Sequence, residues 1–359
     1  MRATLIAVLC LLVCSVARAA ERAVESLPFA VEAHAYLPAT PTTAVLDIVS
    51  SADLALFGTV LDGFQARSPG VAINYFQVSS LEANKAATAN AGIDLVISSA
   101  MDLQTKLAND GAAQPWRSAA TTRLPAWARW RDRVIAFTEE PIVIVLSHSA
   151  FAGDLPRTRS EIMNRLREQR PRFRTRLITY DLAASGLAYL LATQDTRHGG
   201  TFWGLTELMG ALDSQFVCCS GQMIDAILSG EADIAYNVIG SYARQRLSAL
   251  PADHPGFVIL EPEDYTLLML RSALIPITAD AAAAAGRFID FLLSDTGRVH
   301  LRDDAGLPPL PTRQDTRAPS SRPIKLGPGL LVFLDRLKKR RFLQTWQDAT
   351  QRQNEVRSD

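Results

Sequence analysis

The sequence predicts an α/β chain of two lobes. Three observations carry this. Short apolar strands alternate with helical patterns, which points to a largely parallel sheet. Strand after strand ends in Ser or Asp just where a helix begins. The 359 residues exceed most single domains and fit two lobes of roughly 120–180 residues.

The elements follow in order. Residues 20–43 carry Pro28, Pro38 and Pro41 and read as an irregular lead-in. Ala44–Val49 is an apolar strand running into Ser50-Ser51-Ala52-Asp53. A helical pattern follows through Leu54, Leu56, Phe57, Val60, Leu61 and Phe64, with Ser50 or Ser51 as N-cap, and Ser68-Pro69-Gly70 ends it. Val71–Val78 is the next strand, with a helix opening at Ser79-Ser80-Leu81-Glu82. Asp94–Ile97 is a third, followed by Ser98-Ser99 and a helix near Met101–Ala108.

A second alternating unit begins after Val134–Leu146, two apolar runs around Thr138-Glu139-Glu140-Pro141. Arg159–Gln169 is a charged helix. Strand Arg176–Tyr180 leads through Asp181 and Ser185-Gly186 into helix 187–194. Residues 199–213 and Ser220–Ser229 are helical. Asp233–Tyr236 and Phe257–Leu260 are strands, with a turn near Gly240. Thr266–Ile277 is strongly apolar and Asp280–Leu293 is an Ala-rich helix. Residues 308–329 read as a surface linker, and 330–348 as an amphipathic tail. The tail's run Lys338-Lys339-Arg340-Arg341 suits an anionic lipid or a partner, or is a solvated face packed by Phe342 and Trp346.

Composition narrows the classes. Hydrophobic residues at 48% and charged residues at 21% suffice for ordinary cores and exclude wholesale disorder. Lys+Arg equals Asp+Glu at 37 each, which argues against a nucleic-acid binder. Met1-Arg2, the apolar run Leu5–Val13 and Ala17-Arg18-Ala19 describe a signal peptide over residues 1–19. Lipidation at Cys14 fits less well, because Val13 is large for such a site. Cleavage removes Arg2, Arg18, Cys10 and Cys14, leaving a net charge of 35 − 37 = −2 and the adjacent pair Cys218 and Cys219. Neighbouring cysteines pair only through a strained ring, and buried thiols remain the alternative. No later segment reaches 18 continuous apolar residues, so a soluble chain outside the cytoplasmic membrane is expected.

The candidate site follows from the strand ends. In open α/β sheets ligands sit beyond the carboxyl ends of strands, and helix N-termini favour anions. Ser50, Ser51, Ser99, Asp181 and Ser185 stand at such ends, each of them equally suited to plain capping. Tyr236 and Asn237, beside Gly240-Ser241-Tyr242, suit a polar ligand or a packed turn, with Ser241 among the candidates. Glu139, next to Glu140, can accept sugar hydroxyls or lie solvated. Histidines 34, 148, 198, 254 and 300 form no metal-ligand spacing. There is no GxSxG, GxxxxGK[ST] or GxGxxG. The expectation is therefore a binding protein with no catalytic residues, no metal and no cofactor.

Three segments resemble a known family. Gly230-Glu231-Ala232-Asp233-Ile234-Ala235-Tyr236-Asn237, the helix Phe288–Ser294 followed by Gly297, and Asp181 with Ser185-Gly186 are similar to segments of the periplasmic solute-binding proteins of bacterial ABC transport systems. The match runs over residues 44–310. Gly327-Pro328-Gly329-Leu330-Leu331 resembles the branch with ferric-ion, hexose-phosphate and phosphoglycerate binders.

The resemblance implies a type 2 periplasmic-binding-protein fold, with each lobe a mostly parallel sheet flanked by helices. It divides the chain into lobe 1 at 44–145 and 268–359, tail included, and lobe 2 at 146–267. It further implies a periplasmic monomer that holds a small solute between its lobes and presents it to an ABC permease or a membrane histidine kinase. Ferric sites in this branch use adjacent tyrosines. Here Asn237 follows Tyr236, which turns the expectation toward an organic anion, with a ferric carrier or an enzyme on the same fold as alternatives.

Overall fold

A computed structural model describes residues 27–351 apart from 90, 152 and 312–316. The signal-peptide reading lies outside the described residues.

The first half of the chain builds strands β1 (Ala33–Leu37), β2 (Ala44–Ser50), β3 (Val71–Gln77) and β4 (Leu95–Ser98). Between them run helices α1 (Leu54–Arg67), α2 (Ser80–Ala86) and α3 (Met101–Asn109). β2 lies parallel to both β3 and β4. The lead-in is not wholly irregular: β1 pairs antiparallel with β3, and His34 stacks on Phe76 at 4.7 Å between ring centroids. Extended pairing and an aromatic face outweigh the flanking prolines there.

α1 buries Leu56, Phe57, Val60, Leu61 and Phe64, a stripe with helical period. Phe64 meets Phe288 at 4.9 Å, on α9 (Ala282–Leu293).

After the long strand β5 (Val134–Ser147) come α4 (Arg159–Glu168), β6 (Leu177–Tyr180), α5 (Gly186–Asp195) and α6 (Thr201–Ala211). β7 (Gln215–Val217), α7 (Ser220–Leu228), β8 (Ile234–Ile239), α8 (Gly240–Ser248) and β9 (Phe257–Leu260) complete the second half. β10 (Thr266–Pro276) then returns to the first, and β11 (Ser321–Pro323) pairs with it. The strand order is β1-β3-β2-β4-β10-β5-β8-β6-β7.

β5 and β10 join the halves. Residues 135–141 of β5 pair with β10, while 142–146 pair with β8 and 144–147 with β9. The two apolar runs are thus one strand passing through Pro141. β10 is buried at every residue, Arg271 and Ser272 included, and its strongly apolar stretch suits a strand covered on both faces.

The tail departs from the expected packing on the first lobe. Its helix α10 (Arg336–Gln351) lies on α6. Phe342 stacks on Phe202 at 6.0 Å and meets Trp203 tilted at 5.2 Å, and Trp346 meets Phe216 of β7 at 5.1 Å. A Cβ at Gly210 would stand 2.4 Å from the Ala349 carbonyl oxygen, so glycine permits this approach. Phe342 and Trp346, one helical turn apart, find the aromatic surface they need only in the second half.

Among the described residues no helix is long and apolar enough to cross a membrane.

Candidate functional site

A cavity of about 250 Å³ opens where strand ends and helix starts of both halves face each other. Ser51, Ser79, Ser80 and Ser99 line it from the first half, and Ser185, Ser220, Tyr180 and Tyr242 from the second. Its acidic groups are Glu32, Asp53 and Asp225, and none of its lining residues is Lys, Arg or His. An open groove of about 910 Å³ along α10 is larger but lies on one helix, where no groups converge.

Strand geometry places the hydroxyls. β2 and β4 are parallel neighbours, so their carboxyl ends lie side by side, and the Ser99 N–H donates to Ser51 Oγ at 3.2 Å. Ser79 caps α2 and Ser185 caps α5. Two of the contacts that bridge the halves lie at the cavity edge. The Gly186 N–H of α5 donates to Ser80 Oγ at 3.0 Å, and the Asp53 N–H donates to the Tyr242 hydroxyl at 3.2 Å. A Cβ at Gly186 would lie 2.8 Å from Leu103 Cδ1, 3.1 Å from Ser80 Oγ and 3.2 Å from Ala100 Cβ, so glycine favours this closeness.

Tyr180 and Ser220 share a hydroxyl hydrogen bond of 2.6 Å, and the Ile239 N–H donates to Ser220 Oγ at 3.0 Å. Burial raises the phenols of Tyr180 and Tyr242 above their ordinary range. Asp53 is also raised, chiefly by desolvation, with Arg271 pulling against it.

Of the residues expected from sequence, Ser51, Ser99 and Ser185 line the cavity. The others lie elsewhere. Ser50 is buried at its strand end and accepts from the Ala52 N–H at 3.0 Å. Asp181 accepts from the Ala183 N–H at 2.8 Å. Glu139 accepts from Arg317 Nε at 2.8 Å. Ser241 donates to Glu140, which is fully buried.

Tyr236 and Asn237 point behind the cavity, where the Tyr236 hydroxyl and Asn237 Nδ2 donate to Asp195 Oδ2 at 3.2 and 2.8 Å. Asn237 has φ of 66° and the register of β8 shifts between Ala235 and Val238. The left-handed residue breaks strand alternation, so two consecutive side chains reach one carboxylate.

The sequence reading did not assign Gln77, Tyr180, Cys218, Cys219 or Tyr242 to the site, although all line it. Tyr180 was open to inference, since it ends a strand immediately before Asp181.

Behind the cavity sit two buried arginines. Arg271 of β10 donates through Nε to Glu140 of β5 at 3.1 Å, and both are fully buried. Arg159 donates to the Tyr236 hydroxyl at 2.8 Å, to the Tyr265 carbonyl at 2.6 Å and to Asp264 at 3.1 Å. Asp195 also accepts from the Tyr265 hydroxyl at 3.0 Å. Burial raises the Asp195 carboxyl, with Arg159 the strongest opposing influence.

Residues 46–304 match the model of a family described as bacterial extracellular solute-binding proteins, and the chain belongs to that family. Its fold is the two-lobed one of periplasmic binding proteins. The substrate-binding protein of an ABC transporter from Agrobacterium tumefaciens is 31% identical, with TM-score 0.83, covering 90% of this chain and 100% of that one. The periplasmic binding protein AfuA from Actinobacillus pleuropneumoniae, solved with exogenous fructose-6-phosphate, is 15% identical with TM-score 0.69, over 86% of this chain and 99% of that one. Iron-bound HitA from Pseudomonas aeruginosa is 16% identical with TM-score 0.65, over 85% and 99%. No curated protein sequence matches the chain.

Proposed function

We propose that the protein captures a small organic anion, phosphorylated or carboxylated, between two lobes in the periplasm and delivers it to an ABC permease. One observation carries this: hydroxyls and helix starts from both halves converge on one cavity that, among the described residues, no Lys or Arg lines. Neutral dipoles arranged in this way stabilise an anion without a cation. The volume falls below the about 300–1,000 Å³ of drug-sized sites, which suits a small solute. In this reading residues 44–145 and 268–334 form one lobe and 146–267 the other, with the tail helix resting on the second, and the leader over residues 1–19 directs export. The binding cycle contains no chemical step. Delivery to a histidine kinase is the alternative use of the same closure, and a neighbouring kinase gene in place of a permease gene would favour it.

A ferric carrier is less well supported. Among the described residues no group of three or more His, Cys, Asp or Glu side chains could hold a metal ion. The adjacent tyrosine pair of such ferric sites is broken here, since Asn237 follows Tyr236 and its amide donates to Asp195. A protein that stays colourless in saturating Fe(III) removes that reading.

A thermal-shift screen of the mature chain against sugar phosphates, glycerates, phosphonates and carboxylates tests the proposal. A ligand at 100 times its Kd adds about 2.7 kcal/mol of stability. If no anion raises the melting temperature, the anion reading is wrong.

A further inference from the structure

Cys218 and Cys219 are joined by a disulfide, and both line the cavity together with Ser220, Gly221 and Gln222. Cys219 is also the N-cap residue of α7 and makes no side-chain cap hydrogen bond. Helices α2, α4 and α5 are capped by Ser79, Thr158 and Ser185, whose hydroxyl oxygens accept from the first turn. Helices α1, α3, α6, α8 and α9 lack a side-chain cap as α7 does, though none of them has its N-cap residue tied into a disulfide. In α7 the equivalent atom is a sulfur held by its neighbour, so it cannot fold back over the N–H groups it would otherwise cover. A Cβ built on Gly221 meets nothing within 4 Å, so this first turn faces open space.

We propose, resting on the anion reading above, that the Cys218–Cys219 pair gates the site. As a disulfide it leaves the N-terminus of α7 open to the solute's anionic group. As a dithiol it places the freed Cys219 sulfur over the same N–H groups. Reduction by a dithiol donor balances: the S–S bond takes up two electrons and two protons and becomes two thiols, while the donor's two thiols close to a disulfide. A thiol at a helix N-terminus ionises more readily than a free one, so the released sulfur is an intramolecular rival for the anion's place. The nearest acidic side chain of the same helix, Asp225, is paired with Arg246. Glu32 and Asp53 stand on other walls of the cavity.

The test measures binding of inorganic phosphate and of a phosphorylated glycerate to the mature chain by calorimetry, oxidised and after dithiothreitol. Reduction should weaken binding at least about tenfold. The double variant Cys218→Ala with Cys219→Ala has neither cap nor thiol, and should bind within about threefold of the oxidised chain in either condition. Cys218→Ala with Cys219→Ser restores an ordinary cap and should bind weakly in both.

Equal affinity of the oxidised and reduced chains overturns the gate and leaves the anion reading standing. Failure of both probes to bind the oxidised chain, together with a silent anion screen, overturns both. If the variants do not fold, the unmodified chain still decides: saturating phosphate should slow reduction of the disulfide, and an unchanged rate refutes the gate.

Discussion

Around the cavity, serine and tyrosine hydroxyls, helix starts and three carboxyls make up the polar lining, and among the described residues no cation reaches it. Behind it, Arg159 and Arg271 are almost completely buried and tied to Asp195, Asp264 and Glu140. The difference teaches where this molecule keeps its charge. Charged pairs clamp the strands that join the halves and the network under β8, while the cavity wall offers neutral hydroxyls and helix starts beside the carboxyls of Glu32, Asp53 and Asp225. Buried pairs have fixed partners and resist rearrangement. Neutral donors accept an anion and release it without leaving a bare charge.

The comparison breaks most readily at the frame. Arg159→Ala leaves Asp195 buried without its cation and should cost about 3–5 kcal/mol in urea unfolding, with Arg271→Ala similar through Glu140. Losses under about 1 kcal/mol would mean that these pairs do not clamp the frame.

Next is Asp102, buried in the first turn of α3, whose carboxyl desolvation pushes up to about 7. Its folded form holds the proton more tightly than the unfolded chain does. Its contribution is therefore fully present below pH 3.8 and is lost as pH rises through 7. Asp102→Asn should raise stability by roughly 1–4 kcal/mol at pH 8, with the gain vanishing near pH 4. Equal melting differences at both pH values would show that the carboxyl is not held protonated.

In the cavity wall, Ser99→Ala and Ser185→Ala should weaken an anion hit about tenfold, or about 1.4 kcal/mol. Ser185→Ala should also cost about 1 kcal/mol of stability as a lost cap. Unchanged affinity in both would move the site. The smallest effect on binding belongs to Glu139→Gln, which faces Arg317 outside the cavity. The pair is largely buried, so a stability loss of about 1–3 kcal/mol with no change in solute affinity is expected, and a large loss of affinity would bring Glu139 into the site.

Ser51, Ser99 and Ser185 were legible because a strand end followed by a helix start is a local pattern, and parallel neighbours bring such ends to one edge of the sheet. Tyr236 and Asn237 were not. Their direction depends on the left-handed Asn237 and the register shift beside it, and neither leaves a mark in composition or spacing. Cys218 and Cys219 were visible as a pair, but their place in the cavity wall was not. The tail was legible as an amphipathic helix, whereas its partner was not, because any apolar surface satisfies the same stripe.

The sequence by itself determined most of the order of strands and helices, the caps Ser79 and Ser185 and the two apolar-rich strands β5 and β10, since each follows from backbone preference and hydrophobic period. At α1, by contrast, the N-cap position falls on Asp53, and neither Ser50 nor Ser51 caps the helix. Only the tertiary structure decided which hydroxyls share a cavity, which carboxylates are locked to arginines and where the tail rests. Those outcomes depend on long-range contacts such as the Gly186 N–H donating to Ser80, between residues 106 positions apart, which no local pattern encodes.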